Sequence, residues 1–199
     1  MATKAAVSTV PIAKYVELLR QLPAKAFDDV PTIEEFARQH PVDPASIERF
    51  LCWNSQHYTR NLIDHTDLYD LMAICWDVGQ ASSIHNHRGQ NCWMSVPVGR
   101  LVVQNYRVIF ESVDEHKCEI VPTDSVEMNA LHPVGVNPKH PVHSVCNPRE
   151  FNQRAVSLHI YSRPFDSCVV YSDEQGTCGE IQLHFNTKFG EPVARSSRG

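Results

Sequence analysis

Hydrophobic positions in the first fifty residues recur at helical spacing. From Pro11 to Leu22, the residues Ile12, Tyr15, Leu19 and Leu22 fall three or four apart, which puts them on one stripe of an α-helix. Thr32 and Glu35 have the spacing of a capping box ahead of Phe36, and predict the start of a second helix. Asp43 as N-cap with Pro44 at the first helical position predicts a third, short helix that turns Ile47, Phe50 and Leu51 inward.

Near Trp53 the pattern changes. Beyond Tyr58 come short runs rich in β-branched and aromatic residues, at Leu71–Trp76, Trp93–Val98, Leu101–Phe110, Ser125–Leu131, Val142–Val145, Ala155–Tyr161, Cys168–Tyr171 and Glu180–Phe185. Most of the 13 prolines and eight glycines fall between these runs, where they turn the chain. Many short strands without intervening helices predict a sandwich or a barrel. There is no internal repeat, and Arg195–Gly199 reads as a frayed polar end.

Composition narrows the class further. A chain of 199 residues can bury one full core, so a single structural domain is expected. The net charge of −5, with Lys and Arg scattered, predicts no nucleic-acid partner. No apolar run approaches the ~20 residues that span a bilayer, and Met1–Val10 lacks the charged-then-apolar layout of a secretory signal. The seven cysteines are odd in number and contain no C-x-x-C pair, which suits a reducing compartment. The expectation is a cytoplasmic monomer acting on small molecules, with no membrane contact.

The candidate chemistry lies between Gly79 and Gly99. His85 and His87 are two residues apart and Cys92 follows five later; on a strand, residues i and i+2 share a face, so both imidazoles would converge on one point. Gly79, six positions before the pair, and Gly99, seven after Cys92, could turn the chain tightly. A His-x-His alone fits equally well two polar residues on the wet face of a strand. A metal site needs a further ligand, and the donors downstream are His140 and His143. His143 begins an alternating strand whereas His140 is pinned before Pro141, so His143 is the better third ligand.

Two more polar pairings repeat the period of two. Ser157, His159 and Tyr161 alternate with Val156, Leu158 and Ile160, so polar groups face one way and aliphatic groups the other. Tyr58 and Arg60 bring a phenol and a guanidinium to a shared face. Solvated strand faces and a polar barrel lining read alike at this level.

Together these residues resemble the thiol dioxygenases of the cupin superfamily, and within them the cysteine dioxygenase family. The matching pieces are Tyr58-Thr-Arg-Asn-Leu62, Cys75-Trp76, Ser82-Ser-Ile-His-x-His87 with Cys92, His143-x-Val-x-Asn147, and Ala155-Val-Ser-Leu-His-Ile-Tyr-Ser162 leading to Pro164-Phe-Asp-x-Cys168. The resemblance implies a mainly β fold, a small cupin-type, jelly-roll-like barrel over residues 58–190 with the helical segment 1–57 packed outside and 191–199 as a flexible tail. It implies Fe(II) held by His85, His87 and His143, with Cys92 where ordinary cupins carry a carboxylate ligand. Three neutral imidazoles leave the ion its full charge, which favours an anionic thiolate.

The family's reaction is the oxidation of L-cysteine by O₂ to cysteine sulfinic acid. On that pattern Arg60 anchors the substrate carboxylate, aided by Tyr58. Tyr161 acts on substrate or oxygen within a network with Ser157 and His159, and Cys92 and Tyr161 are competent to form a thioether crosslink. Other members oxidise 3-mercaptopropionate, typically with glutamine in place of Arg60; a binding-only cupin and a structural zinc protein are weaker alternatives. The chain departs from the family in two places. It reads Ser162-Arg163-Pro164-Phe165 where animal members read Ser-Pro-Pro-Phe, and a cis bond associated there with the first proline would cost about 2.5–4 kcal/mol before Arg163. Glu111–Pro141 matches the pattern poorly.

Overall fold

The computed structural model describes residues 8–130, 132–136 and 141–194. Helix α1 (Ile12–Arg20) buries Ile12, Tyr15 and Leu19, the stripe its spacing predicts. A 3₁₀ turn at Ala24–Asp28 leads into α2 (Val30–Gln39), and a second 3₁₀ segment, Pro44–Phe50, starts from Asp43, whose carboxylate accepts the Ala45 N–H. The capping box at Thr32 is corrected. The N-cap is Asp29, which accepts the backbone N–H and the hydroxyl of Thr32, and Pro31 sits in the first turn with a φ already fixed for helix. Glu35 instead pairs along the helix surface with Gln39 and Arg38.

The strands are β1 (Thr59–His65), β2 (Tyr69–Trp76), β3 (Ile84–His85), β4 (Cys92–Val98), β5 (Leu101–Ser112), β6 (Lys117–Met128), β7 (Val134–Gly135), β8 (Val142–Cys146), β9 (Ala155–Ser162), β10 (Ser167–Ser172), β11 (Thr177–Gln182), β12 (Thr187–Lys188) and β13 (Glu191–Pro192). They form a seven-stranded sheet in the order β13-β12-β1-β2-β9-β4-β7 and a six-stranded sheet in the order β11-β10-β3-β8-β5-β6. These two curled sheets and the N-terminal helices give the mainly β, cupin-type architecture.

Three expected boundaries move. The strand predicted at Ser125–Leu131 is the end of β6, which begins at Lys117; Leu131 itself lies outside the described residues, as do His140 and Arg195–Gly199. Strand β6 is an edge strand, so it tolerates Pro122 and polar residues on both faces, a composition that reads as loop. The strand predicted at Glu180–Phe185 is β11, displaced toward Thr177. Glu191 and Pro192, expected in a flexible tail, pair with β12 as β13.

The seven-stranded sheet is covered on both faces, which explains why β2 is buried along its whole length. Leu71, Ala73 and Cys75 of β2 and Val156, Leu158 and Ile160 of β9 point outward into one cluster with Tyr15, Leu19, Ile33, Phe36 and Ile47 of the helical segments. Met72, Ile74 and Trp76 point the other way, into the barrel, with Cys92, Met94, Val96 and Tyr161. The aliphatic stripe of β9 therefore faces the helices, and its polar stripe faces inward.

Polar contacts fasten the helices to the sheet. Trp93 Nε1–H donates to Val30 O at 2.8 Å and Asn91 Nδ2–H to Phe27 O at 3.0 Å. Gly99 turns β4 into β5 with φ +74°, where a Cβ would meet Arg154 O at 2.6 Å. Arg20 of α1 grips Asp64 of β1 with two N–H groups, and Tyr69 O–H donates to the same carboxylate at 2.6 Å. Asp64 is buried while Arg20 is half exposed. Arg20→Ala is therefore expected to lower stability modestly, because the buried Asp64 carboxylate loses two N–H partners and keeps the Tyr69 hydroxyl. Urea unfolding measures this as a shift in midpoint at constant m-value, and an unmoved midpoint would show that α1 docks through its apolar stripe alone.

Candidate metal centre

Strand β3 is only two residues long, and it carries His85 directly opposite His143 of β8. On its other side His85 pairs with Val170 of β10, so the imidazole stands on a strand held from both edges. His87 lies beyond the strand, at the corner of a tight turn. Gln90 N–H donates to His87 O at 2.9 Å, and the two central residues, Arg88 and Gly89, have φ of 54° and 76°. Between the histidines, Asn86 is tied to β10 by its own N–H to Val169 O at 3.1 Å and by Val169 N–H to Asn86 Oδ1 at 3.1 Å. Asn86 Nδ2–H also donates to Tyr171 OH at 3.0 Å. Asn86 thus fixes the backbone that aims both imidazoles, though it stands out in the sequence only as the residue between them.

The ligand atoms of His85, His87 and His143 lie within 4.8 Å of one another. Their ring centroids are 4.8–5.1 Å apart and the rings are mutually edge-on, at 73–82°, as three donors converging on one point would be. His85 Nδ1–H donates to Ser83 O at 2.9 Å, which leaves Nε2 free for the centre. Both ring nitrogens of His87 and Nδ1 of His143 are buried without a hydrogen-bond partner among the described residues.

Burial holds all three imidazoles neutral, the form that binds metal. It pushes His85 down to about 4, and His87 and His143 well below their ordinary value, with mutual repulsion adding to the effect. Unpartnered buried nitrogens, neutral rings and convergence fit a metal ion, and a set of three imidazoles suits zinc, copper, iron or nickel.

A pocket opens onto this cluster, and Arg60, Tyr58, His85, His87, His159 and Tyr161 all reach its surface. No carboxylate lines it among the described residues. Arg60 makes no ion pair among them either; its Nε is buried without a partner, and the guanidinium lies 5.7 Å from the Phe185 ring centre. The pocket therefore holds a fixed cation with nothing to neutralise it.

Two strands from Arg60, on the same face of the sheet, runs a chain of hydrogen bonds. Trp76 Nε1–H donates to Ser157 Oγ at 2.9 Å, Ser157 Oγ and His159 Nε2 are 2.8 Å apart, and His159 Nδ1 and Tyr161 OH are 3.1 Å apart. Desolvation pushes His159 down to about 3, and lifts the Tyr161 phenol well above its usual value. Tyr58 stacks on Trp76 with ring centres 4.7 Å apart, just before β1 begins. Cys92 faces Tyr161 directly across the β4–β9 pair; burial pushes its thiol up, and a hydrogen bond with Tyr161 opposes that shift.

Of the nine residues singled out in the sequence, six line this pocket; His143 joins His85 and His87 in the cluster but lines a neighbouring hollow, Ser157 joins through His159, and Cys92 faces Tyr161. His87 arrives by a turn rather than by strand alternation. The sequence offers Trp76 only within the Cys75-Trp76 match; it ends an unbroken apolar run, where nothing marks its indole N–H as part of a polar chain. At Arg163 the chain takes φ +59° with a trans peptide bond before it, and Arg163 N–H donates to Leu68 O at 2.8 Å.

The family model described as cysteine dioxygenase type I matches residues 1–174. The chain is 28% identical over 189 residues to the cysteine dioxygenase type 1 of Homo sapiens, covering 94% of this chain and 92% of that protein. It is 28% identical over 180 residues to the cysteine dioxygenase type 1 of Bos taurus, covering 90% of this chain and 88% of that one. Among solved structures it resembles a cupin superfamily protein from Desulfitobacterium hafniense at 13% identity and a TM-score of 0.37, covering 63% of this chain and 93% of that one.

His87 offers the only imidazole of the three with both nitrogens buried and unpartnered among the described residues. His87→Ala is expected to abolish metal retention after anaerobic loading and desalting, measured as metal per chain by mass spectrometry. Retention at the parental level would remove His87 from the ligand set.

Proposed function

The chain belongs to the type I cysteine dioxygenase family, and from that premise we propose that it converts L-cysteine and O₂ to L-cysteine sulfinic acid at Fe(II) held by His85, His87 and His143. Membership makes it an oxidoreductase, a thiol dioxygenase acting on a small molecule. The observation that carries the choice of substrate is Arg60: an unpaired guanidinium in a pocket without carboxylates is built for the carboxylate of an amino or thiol acid.

Fe(II), when bound, supplies the site for the thiolate and the activation of O₂. The residues of the chain do the rest. Arg60 takes the substrate carboxylate as a bidentate pair and so fixes the direction of the thiol. Tyr58, flat against Trp76, keeps that side of the pocket in shape. The orientation so gained is the protein's main contribution to the rate.

Tyr161 acts as a hydrogen-bond donor, because a phenol raised so far above its ordinary value by burial keeps its proton. Its direction depends on His159. Trp76 can only donate, so Ser157 Oγ always accepts at one end of the chain. When Ser157 donates to His159 Nε2, Nδ1 carries the proton and donates to the Tyr161 oxygen, which frees the phenolic hydrogen for the pocket. When Nε2 carries the proton, Tyr161 donates to Nδ1 instead and presents its oxygen. A neutral His159 can switch between the two tautomers without gaining charge, and its depressed value keeps it neutral throughout the physiological range.

Cys92 and Tyr161 occupy opposed positions on neighbouring strands, and on this reading they can be joined by a bond from Cys92 Sγ to the Tyr161 ring. Forming it breaks the S–H bond and one ring C–H bond and releases two protons and two electrons, which reduce one O₂ to hydrogen peroxide. The link would lock the phenol at the pocket wall.

Two results test the reading. Anaerobically Fe(II)-loaded protein is expected to consume one O₂ per cysteine sulfinate formed, identified by mass, with cysteine preferred over 3-mercaptopropionate. Arg60→Gln should raise KM for cysteine about tenfold and for 3-mercaptopropionate less. Preference for 3-mercaptopropionate would overturn the substrate, and no uptake of O₂ with iron bound would overturn the activity. Separately, Cys92→Ser should abolish the faster-migrating crosslinked band on a denaturing gel after turnover; a band that persists would put the link elsewhere.

A further inference from the structure

Strand β11 belongs to one sheet and β12 to the other, and residues 183–186 carry the chain between them beside Arg60. This strap lies beyond residue 174, where the family-model match ends. It is stitched down at both ends. Leu183 N–H donates to Asp166 O at 2.6 Å, and Phe189 N–H to Leu62 O at 2.8 Å.

Its central contact is with Arg60 itself. Asn186 N–H donates to Arg60 O at 2.7 Å, and Arg60 N–H donates to Asn186 Oδ1 at 2.9 Å. One residue thus satisfies both backbone polar groups of Arg60, and a side-chain oxygen does half of that work. The residue before Asn186, Phe185, meets the guanidinium, and Leu183 lines the pocket. Asn186 O in turn accepts Val193 N–H at 3.0 Å, so the clamp is backed from outside by the chain after β13.

We propose that this strap sets which thiol acids the pocket accepts: Asn186 is the positioning residue that fixes Arg60, and Leu183 is the wall that limits substrate length. The physical reason is the rigid geometry of a two-ended substrate. A thiol held at the histidine cluster and a carboxylate held at Arg60 define a span, and that span is set by where the Arg60 backbone is anchored and by the wall beside it. The inference rests on the reading of Arg60 as carboxylate anchor.

The test is steady-state kinetics of the Fe(II)-loaded full chain with cysteine, with homocysteine, which is one methylene longer, and with cysteamine, which lacks the carboxylate. Asn186→Ala is expected to raise KM for cysteine about tenfold, with a smaller effect on kcat and on cysteamine, and to add nothing in an Arg60→Ala background. Leu183→Ala is expected to raise the homocysteine-to-cysteine ratio of kcat/KM about tenfold, the scale of one methylene in an apolar pocket. Equal losses on cysteine and cysteamine, or additivity with Arg60→Ala, would make Asn186 merely structural and overturn the proposal. So would an unchanged substrate ratio in Leu183→Ala, which carries the test alone should Asn186→Ala fail to fold by circular dichroism. Failure of the underlying reading looks different: Arg60→Ala itself would then leave KM for cysteine unchanged.

Discussion

The register of β2, β9 and β4 is the constraint on which the site depends. These three strands are buried on both faces, so each side chain goes either to the helix-facing layer or to the barrel interior. A slip of one residue in β9 would drive Ser157, His159 and Tyr161 into the aliphatic layer beneath the helices, where each lost hydrogen bond costs about 1–3 kcal/mol. It would also send Val156, Leu158 and Ile160 into the pocket. The same alignment sets Cys92 against Tyr161 and Met94 against His159. The helices therefore serve the chemistry indirectly, because their apolar cover makes only one register affordable.

Burial does different work on the two sides of the pocket. Around the histidines it strips water from the rings and keeps them neutral, ready to donate lone pairs. Across the pocket it leaves Arg60 charged with no carboxylate among the lining residues described, so the uncompensated cation is answered only when an anion arrives. A site with neutral donors on one wall and a lone cation on another selects ligands with two negative ends. The hydrogen-bond chain through His159 then adds a phenol whose donor direction is set by a neutral tautomer rather than by a charge.

How much of this was legible depends on distance along the chain. Period-two patterns gave the face shared by Ser157, His159 and Tyr161, and helical spacing gave the stripe of α1, because both are local consequences of backbone geometry. The wet or buried status of the polar face was not local, and the structure decided it by covering the opposite face with helices. Strand β6 was only half visible, since an edge strand needs no apolar alternation. The cap of α2 was misplaced by three residues because two Asx or Thr caps competed and Pro31 favoured the earlier one. Asn86, Trp76 and Asn186 act through partners 81 or more positions away in sequence, or through indole and backbone groups that no residue pattern advertises.

Strand β9 lies in the middle of its sheet, between β2 and β4, with apolar cover behind and the pocket in front. Amide hydrogens in such a strand exchange with solvent only when the whole molecule opens, whereas the two-residue strands β12 and β13 at the sheet's border exchange by local fraying. The hydrogen-bonded chain of Ser157, His159 and Tyr161 thus sits on the slowest-breathing part of the fold. Arg60 sits on β1, one strand from that fraying border, so warming should free Arg60 before it disturbs the Ser157–His159–Tyr161 chain.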